Sequence, residues 1–263
     1  MDPIQVIILG FIQGVTEWLP ISSTGHIRIA EQLLGLKLPL LFDVTLHIGT
    51  LAIVLLYFQK DIRSILSALV KREFKSENGK LISLIIVGSV PSTLIGVFFN
   101  ETIEAFFSNF LPMAVAFLIC GVVLSLSKTG QEQEENVTYL IALAIGIAQG
   151  IALIPGISRS GLTIATAILL GVRREKAFKF SFLLSIPAIV GALGLTLYRQ
   201  YEVLTFVGIG WTEIFVGITV SLVVSYFALK LLRKTLLGKK FYLFAFYCWF
   251  IGVVLLAMGL GLF

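Results

Sequence analysis

The sequence predicts an all-α polytopic membrane protein: an inverted-topology repeat with six transmembrane helices and two re-entrant helix-loop-helix hairpins. Three observations predict this fold class. Of the 263 residues, 57% are hydrophobic and only 13% are charged, a balance typical of membrane proteins. Six segments are long and apolar enough to cross a bilayer, and two more apolar regions are interrupted near their middle by Pro, Gly and Ser.

The six predicted spans each approach the ~20 residues that a helix needs to cross a bilayer. They lie at 42–58, 81–98, 111–127, 178–198, 212–232 and 241–263. The two interrupted regions are 3–34, broken around Pro20, and 138–171, broken around Pro155. Each half of an interrupted region is short for a crossing helix and suits a re-entrant hairpin. We therefore expect a single integral membrane domain over residues 1–263.

The basic residues predict the orientation, because Lys and Arg accumulate in cytoplasmic loops. Sixteen of the 20 basic residues fall in connections on one side of the predicted spans, whereas Lys37 and Arg199 lie on the other face. We therefore expect both termini and the opening of the first hairpin to be extracytoplasmic. The basic, amphipathic stretch at 61–75 should lie along the cytoplasmic interface. This topology explains the net charge of +5 without a nucleic-acid partner.

An internal repeat relates the two interrupted regions. A shift of 136 residues places 10–35 on 146–171 with nine identities in 26 positions, among them Gln13 on Gln149. On the predicted orientation the two hairpins enter the membrane from opposite sides. Inverted repeats of this kind bring two broken helices together at a central site. The first repeat would cover about 1–127 and the second about 138–263.

The first hairpin carries the motif QGVTEWLPISSTGH, residues 13–26. Gln13 and Glu17 are four residues apart and share one face of a helix. The hydroxyl residues after the proline predict a second helix start, whose free N–H groups and dipole favour an anion such as phosphate. His26 should lie within reach of Ser23 and Glu17, where it would activate a hydroxyl or protonate a leaving group. The hydroxyl residues are Ser22, Ser23 and Thr24.

The second hairpin repeats this device in PGISRSGLT, residues 155–163, ahead of a helix expected at about 162–171. Arg159 adds a planar fork of donors that suits phosphate oxygens, and an arginine at membrane depth requires a polar partner. One interpretation is that Arg159 pairs with Glu17 only to hold the hairpins together. The number of nearby hydroxyls favours an oxyanion site, although each one singly would serve for capping or packing. The hydroxyls that favour it are Ser22, Ser23, Ser158 and Ser160.

Other polar and reactive residues are less informative. Asp43 and His47 form a second polar pair four residues apart, early in the span at 42–58. They either extend the site or serve as a capping aspartate and a packing histidine. Cys120 and Cys248 lie in separate apolar stretches without metal-site spacing, and we interpret them as small apolar residues.

The two motifs together resemble the signature motifs of the BacA-type undecaprenyl-pyrophosphate phosphatases, and the resemblance covers essentially the whole chain. It implies hydrolysis of a polyprenyl pyrophosphate to the monophosphate at the outer face of the cytoplasmic membrane. That reaction recycles a lipid carrier for cell-wall or surface-glycan synthesis and confers bacitracin resistance. The catalytic residues that the resemblance implies are Glu17, Ser23, His26 and Arg159. The substrate-binding residues are expected to be Gln13, Ser22, Thr24, Gly156, Ser158, Ser160, Gly161 and Thr163.

The resemblance also implies a divalent cation, Mg²⁺ or Ca²⁺. Many members have two glutamates in the first motif, whereas this chain has Gln13 and Glu17. A metal held by two carboxylates at these positions is therefore excluded, and a cation would need Glu17, the substrate pyrophosphate and water. Besides the lipid substrate and membrane lipid, a second copy of the chain in a homodimer is a candidate partner.

Two questions stay open from sequence alone. Ser23 is the preferred nucleophile, with His26 or Glu17 handling its proton, but direct attack by His26 is the alternative. The alternative function is a polyprenyl-phosphate flippase or transporter, because secondary transporters are commonly built from inverted repeats with broken helices. A purely structural membrane subunit is disfavoured by the cluster of polar residues at membrane depth.

Overall fold

The computed structural model describes residues 2–36, 40–106, 109–133, 136–200 and 210–262, and within these ranges the regular secondary structure is helical. Its α-helices are α1 (Pro3–Thr16), α2 (Ser23–Leu33), α3 (Leu40–Tyr57), α4 (Gln59–Val70), α5 (Glu77–Phe106), α6 (Phe110–Leu126), α7 (Tyr139–Ile151), α8 (Arg159–Leu169), α9 (Arg174–Gln200), α10 (Trp211–Leu237) and α11 (Phe244–Gly259). Single turns of 3₁₀ helix at Ser127–Thr129 and Phe241–Leu243 extend α6 and precede α11. The prediction of an all-helical chain is confirmed for the described residues.

Five segments of the described chain are long and apolar enough to cross a membrane, and five of the predicted spans fall on them. They are Glu77–Phe99, Phe110–Thr129, Arg174–Tyr198, Trp211–Leu237 and Phe241–Gly259. The predicted span at 42–58 falls on α3, which forms a sixth only when it is counted together with α4, at a bend of 77°. Large apolar side chains such as Phe98 and Phe215, each 71% exposed, face outward as lipid contact requires. By length and composition, the chain is a multi-pass membrane protein.

Both interrupted regions contain two short helices separated by a break. Residues 17–22 separate α1 from α2, and residues 152–158 separate α7 from α8. The predicted N-caps are confirmed: the Oγ atoms of Ser22 and Ser158 accept hydrogen bonds from amides three residues later, at 3.4 and 3.2 Å. Because Ser158 caps it, α8 begins three residues before the start expected from sequence.

Small residues allow the short helices α1 and α7 to pack closely against long ones. α1 packs on α10, and α7 packs on α5. A Cβ atom on Gly146 would lie 2.1 Å from the carbonyl oxygen of Gly88, and one on Gly10 would lie 2.8 Å from that of Gly217. Only a hydrogen atom fits at these distances, which is the small-residue packing typical of membrane helices.

The first break is anchored by an aromatic cluster. The ring of Trp18 lies 4.9 Å from that of Phe182 in α9, centroid to centroid. Phe58 and Phe178 extend the cluster, at 5.9 and 4.5 Å from Phe182. These contacts hold the residues that follow α1 against α9, and the polar cluster described next lies beside them.

Candidate functional site

Glu17, which caps the C-terminus of α1, is the centre of a buried polar cluster. Its side chain is only 4% exposed. Its Oε1 forms an ion pair with Nη2 of Arg159, and its Oε2 accepts hydrogen bonds from Gln13 Nε2 at 3.1 Å and Ser23 Oγ at 2.7 Å. The structure thus brings three of the residues predicted from the two motifs around the carboxylate of a fourth, Glu17.

Local structure explains how these side chains meet. Gln13 lies one helical turn before Glu17, so both side chains project from the same face of α1. Ser23 is the first residue of α2, and Arg159 is the first residue of α8. The N-terminal ends of two helices therefore lie beside Glu17, and their free N–H groups and dipoles give this region a positive electrostatic character.

The two breaks contact each other directly through serine hydroxyls. Ser22 Oγ accepts a hydrogen bond from the amide of Gly156 at 3.1 Å. In the other direction, Ser158 Oγ and Ser160 Oγ donate to the carbonyl oxygen of Leu19, at 3.5 and 3.3 Å. The backbone adopts a positive φ at both ends of the Ser22 contact, 68° at Ser22 and 102° at Gly156. These three serines are buried, and the protein itself satisfies their hydroxyls.

Both cysteines support the same breaks. Cys120 Sγ accepts a hydrogen bond from the amide of Ser158 at 3.4 Å, and Cys248 Sγ lies 3.5 Å from the carbonyl oxygen of Pro20, to which it donates. Both are buried free thiols. Each therefore contacts the backbone of one break in addition to filling apolar space.

The remaining residues predicted to bind substrate differ in their accessibility. Thr24 is exposed in the first turn of α2. The amide of Gly161 donates to Ser158 Oγ, and the hydroxyl of the buried Thr163 donates to the carbonyl oxygen of Arg159 at 2.8 Å. Thr24 is thus accessible, whereas Gly161 and Thr163 hold the backbone that carries Arg159.

His26 has partners other than Ser23 and Glu17. Its Nδ1 lies 2.7 Å from the carbonyl oxygen of Ser22, and its Nε2 lies 2.7 Å from the hydroxyl of Tyr247. The imidazole also stacks on the Tyr247 ring, with centroids 5.6 Å apart. Within the described chain, both ring nitrogens are therefore engaged by Ser22 and Tyr247.

The imidazole beside Glu17 belongs to His47 of α3. His47 Nε2 lies 3.3 Å from Glu17 Oε2, and His47 Nδ1 lies 2.9 Å from the backbone carbonyl oxygen of Asp43. Of the two interpretations of the Asp43 and His47 pair, the structure supports an extension of the site, through His47. The signal in the sequence was a histidine one turn after an aspartate at the start of an apolar span.

Trp18 is a neighbour of Arg159 that was not predicted from the sequence. The guanidinium carbon of Arg159 lies 5.2 Å from the centre of the Trp18 ring, a distance that permits a cation–π contact. Nη1 of Arg159 is buried and has no hydrogen-bond partner among the described residues. The signal for Trp18 in the sequence was its position directly after Glu17 in the first motif.

The protein side chains at Glu17 do not by themselves fit a divalent cation. In the described ranges, no group of three or more His, Cys, Asp or Glu residues is placed to hold a metal ion. The single carboxylate of Glu17 already contacts Arg159 and His47, and its Oε2 accepts two hydrogen bonds. Hard cations such as Mg²⁺ and Ca²⁺ require several oxygen ligands, which this set does not supply.

Comparisons with known proteins match nearly the whole chain. The model of the family described as "Bacitracin resistance protein BacA" matches residues 6–254. The undecaprenyl-diphosphatase of Carboxydothermus hydrogenoformans is 41% identical over 263 residues, covering 98% of each chain. The undecaprenyl-diphosphatase of Methanosphaera stadtmanae is 37% identical and covers 100% of both chains, and that of Halothermothrix orenii is 38% identical over 98% of this chain and 99% of its own. The matched range includes both breaks and every side chain around Glu17.

Proposed function

Because the chain belongs to the family described as bacitracin resistance protein BacA, we propose that it hydrolyses undecaprenyl diphosphate to undecaprenyl phosphate and inorganic phosphate. Relatives that carry the name undecaprenyl-diphosphatase align with nearly its full length. The lipid product is a carrier for cell-wall or surface-glycan synthesis. Its regeneration by this reaction is the proposed basis of bacitracin resistance.

The single observation that carries this proposal is the polar cluster around Glu17. A hydroxyl, Ser23, donates to a buried carboxylate, and Arg159 lies on the other side of the same carboxylate. Phosphoryl transfer needs a nucleophile, an acceptor for its proton, and donors for the negative charge of the phosphoryl group. Arg159 Nη1 and the N-terminal ends of α2 and α8 are the donors that we assign to the phosphates.

In the proposed mechanism, Ser23 is the nucleophile. Its Oγ bonds to the terminal phosphorus while its proton passes to Glu17 Oε2, 2.7 Å away. The bond between that phosphorus and the bridging oxygen breaks, and the lipid leaves as its monophosphate. Water then attacks the phosphorus of the phosphoserine, Glu17 returns its proton to the departing Ser23 Oγ, and inorganic phosphate leaves with the oxygen and both protons of the water. Arg159 stabilises the negative charge during both steps.

Attack by His26 is the competing mechanism and would give a phosphohistidine. His26 Nδ1 faces the carbonyl oxygen of Ser22 and carries a hydrogen, so in the neutral imidazole Nε2 accepts from the Tyr247 hydroxyl. This favours Ser23, because Nε2 would have to lose that partner before it could react. Trapping the covalent intermediate and mapping its phosphate by mass spectrometry separates the two routes. Phosphate on Ser23 is the expected result, and phosphate on His26 would overturn the assignment.

We also propose that the two interrupted regions are re-entrant hairpins of an inverted repeat within one domain, 1–263, with repeats at about 1–127 and 138–263. Moving the bounds of α2 by 136 residues gives 159–169, which are the bounds of α8. Packing supports the same relationship, since α1 lies on α10 of the second half and α7 lies on α5 of the first. Exchanged packing of this kind is expected when two related halves interlock.

The proposed location is the cytoplasmic (inner) membrane, with both termini and the opening of the site on the extracytoplasmic side. The distribution of Lys and Arg supports this orientation. Alkaline phosphatase fused to either terminus should be active, and green fluorescent protein fused there should be dark. The opposite pattern would reverse the orientation.

A homodimer is the proposed assembly, and light scattering of the detergent-solubilised protein would test it.

A divalent cation, Mg²⁺ or Ca²⁺, is proposed to enter with the substrate pyrophosphate, since the residues around Glu17 do not form a cation site alone. Phosphate oxygens would supply most of its ligands. The steps above assign roles only to residues of the chain, and the cation would add charge neutralisation at the phosphates.

Phosphate release by the purified protein tests the proposed function. In detergent, without any membrane gradient, the protein should release inorganic phosphate from undecaprenyl diphosphate. A folded protein that releases none, but moves polyprenyl phosphate across vesicles, would instead be a flippase or transporter. The comparisons favour the phosphatase over that alternative.

A further inference from the structure

We propose that His47 is a positioning residue for Glu17, which it holds in the orientation that accepts the proton of Ser23. His47 lies in α3, outside both motifs, and is brought to the site only by folding. The proposal rests on the proposed function, because it assigns His47 a role in the same reaction.

The imidazole ring of His47 contacts one oxygen atom through each of its nitrogens. His47 Nδ1 lies 2.9 Å from a backbone carbonyl oxygen of Asp43, and a carbonyl only accepts, so Nδ1 carries a hydrogen. Nε2 lies 3.3 Å from Glu17 Oε2. A ring nitrogen contacts a carboxylate oxygen favourably when it donates, so the contact is assigned as a hydrogen bond from Nε2 to Glu17.

The backbone that carries His47 is firmly held on both sides. The carbonyl oxygen of Leu46 accepts a hydrogen bond from Ser221 Oγ of α10 at 2.8 Å. On the other side, a Cβ atom on Gly49 would lie 2.3 Å from the carbonyl oxygen of Ile218, so α3 and α10 are in direct backbone contact. A side chain on a rigidly packed helix is suited to fix the orientation of a reactive group.

The contact from His47 to Glu17 matters most when substrate is bound. Arg159 contacts Glu17 Oε1, but its guanidinium is also the group assigned to the phosphates. A phosphate that binds Arg159 Nη1 competes with Glu17 for the charge of the same guanidinium, so the contact at Oε1 weakens, while Gln13 and His47 continue to hold Oε2. Glu17 Oε2 accepts the hydrogen bond from Ser23 Oγ. Gln13 and His47 therefore keep Oε2 oriented toward Ser23 while the hydroxyl proton is transferred.

The test compares His47→Leu, which has a similar volume and no donor, with His47→Gln, whose amide reaches about as far as Nε2. Phosphate release is measured to obtain kcat and KM separately. His47→Leu should lower kcat by about 10- to 100-fold with little change in KM, because the reacting groups are misplaced while substrate contacts remain. His47→Gln should recover most of the loss.

Three results for the His47 variants would contradict the role proposed for His47. A His47→Leu variant with the wild-type kcat, a loss confined to KM, or a His47→Gln variant as impaired as His47→Leu would each overturn the proposal. If His47→Leu does not fold, His47→Gln is compared with His47→Asn, whose shorter amide should fail to reach Glu17. An inactive wild-type protein would contradict the proposed phosphatase function itself, whereas an active wild type with an equally active His47→Leu contradicts only the role of His47.

Discussion

Glu17 and Arg159 are 142 residues apart in the chain and form an ion pair where the two breaks meet. The carboxylate of this pair also accepts the hydroxyl of Ser23. The Arg159 guanidinium contacts Glu17 through Nη2, whereas its Nη1 has no partner among the described residues. The same arginine is therefore able to link the two breaks and to offer a donor to an anion.

Two replacements of Arg159 should distinguish the contribution of its positive charge to activity from that of its planar guanidinium geometry. Arg159→Ala is expected to lower kcat/KM by about 100- to 1000-fold, the usual effect of removing a donor that stabilises transition-state charge. Arg159→Lys should fall between this variant and the wild type, because an ammonium keeps the charge but loses the planar fork. Phosphate release measures both. Arg63→Ala, on the exposed face of α4, is the control and should match the wild type. Full activity of Arg159→Ala would contradict the assignment.

The neighbouring serines should behave differently when each is replaced by alanine. Ser23→Ala removes the proposed nucleophile and should abolish phosphate release while leaving the thermal unfolding midpoint close to that of the wild type. Ser22→Ala removes the acceptor of the Gly156 amide, so it should lower the free energy of unfolding by about 1–3 kcal/mol. Activity assays and thermal unfolding in detergent distinguish the two effects. A Ser23→Ala variant that still turns over would redirect the mechanism toward His26.

Two glycines in membrane helices provide a matched test of close packing. A Cβ atom on Gly146 would clash with the Gly88 carbonyl oxygen, whereas a Cβ atom on Gly191 would meet nothing within 4 Å. Gly146→Ala should therefore destabilise the protein by about 1–3 kcal/mol through overpacking. Gly191→Ala should be neutral or slightly stabilising, because alanine favours helix more than glycine does. Thermal midpoints in detergent measure both, and equal midpoints would refute the α5–α7 contact.

Cation dependence should require the substrate. If Mg²⁺ or Ca²⁺ enters with the pyrophosphate, EDTA will stop phosphate release, and an excess of either ion will restore it. The ion alone should leave the thermal midpoint of the protein unchanged, because Glu17 offers a single carboxylate that already has basic partners. A clear stabilisation by the ion without substrate would indicate a protein-held site.

The sequence predicted those features that depend on neighbouring residues. Pro, Gly and Ser interrupt both apolar regions, and serines placed three residues before an amide act as N-caps at Ser22 and Ser158. Helical periodicity placed Gln13 and Glu17 on one face. The Glu17 and Arg159 pair was anticipated as one of two interpretations, because each is a costly charge at membrane depth and needs the other.

Apart from the Glu17 and Arg159 pair, specific contacts between distant helices could not be predicted from the sequence. His47 reaches Glu17 only because α3 packs tightly against α10, and nothing near position 47 encodes that packing direction. Tyr247, which engages His26, is 221 residues away from it in the chain. Hydropathy likewise located the span at 42–58 but not the 77° bend between α3 and α4, because both helices follow ordinary local preferences.

The hydrogen bond from the Gly156 amide to Ser22 Oγ joins residues 134 positions apart, so it forms only after both breaks have been synthesised. The ribosome delivers the first break long before the second, so the nascent chain enters the membrane with Glu17 lacking Arg159. A product of premature termination would keep this carboxylate at membrane depth without Arg159, a state that favours removal by quality-control proteases. A site that needs both breaks is thus completed only late in synthesis, and we expect an N-terminal fragment that lacks the second break to release no phosphate.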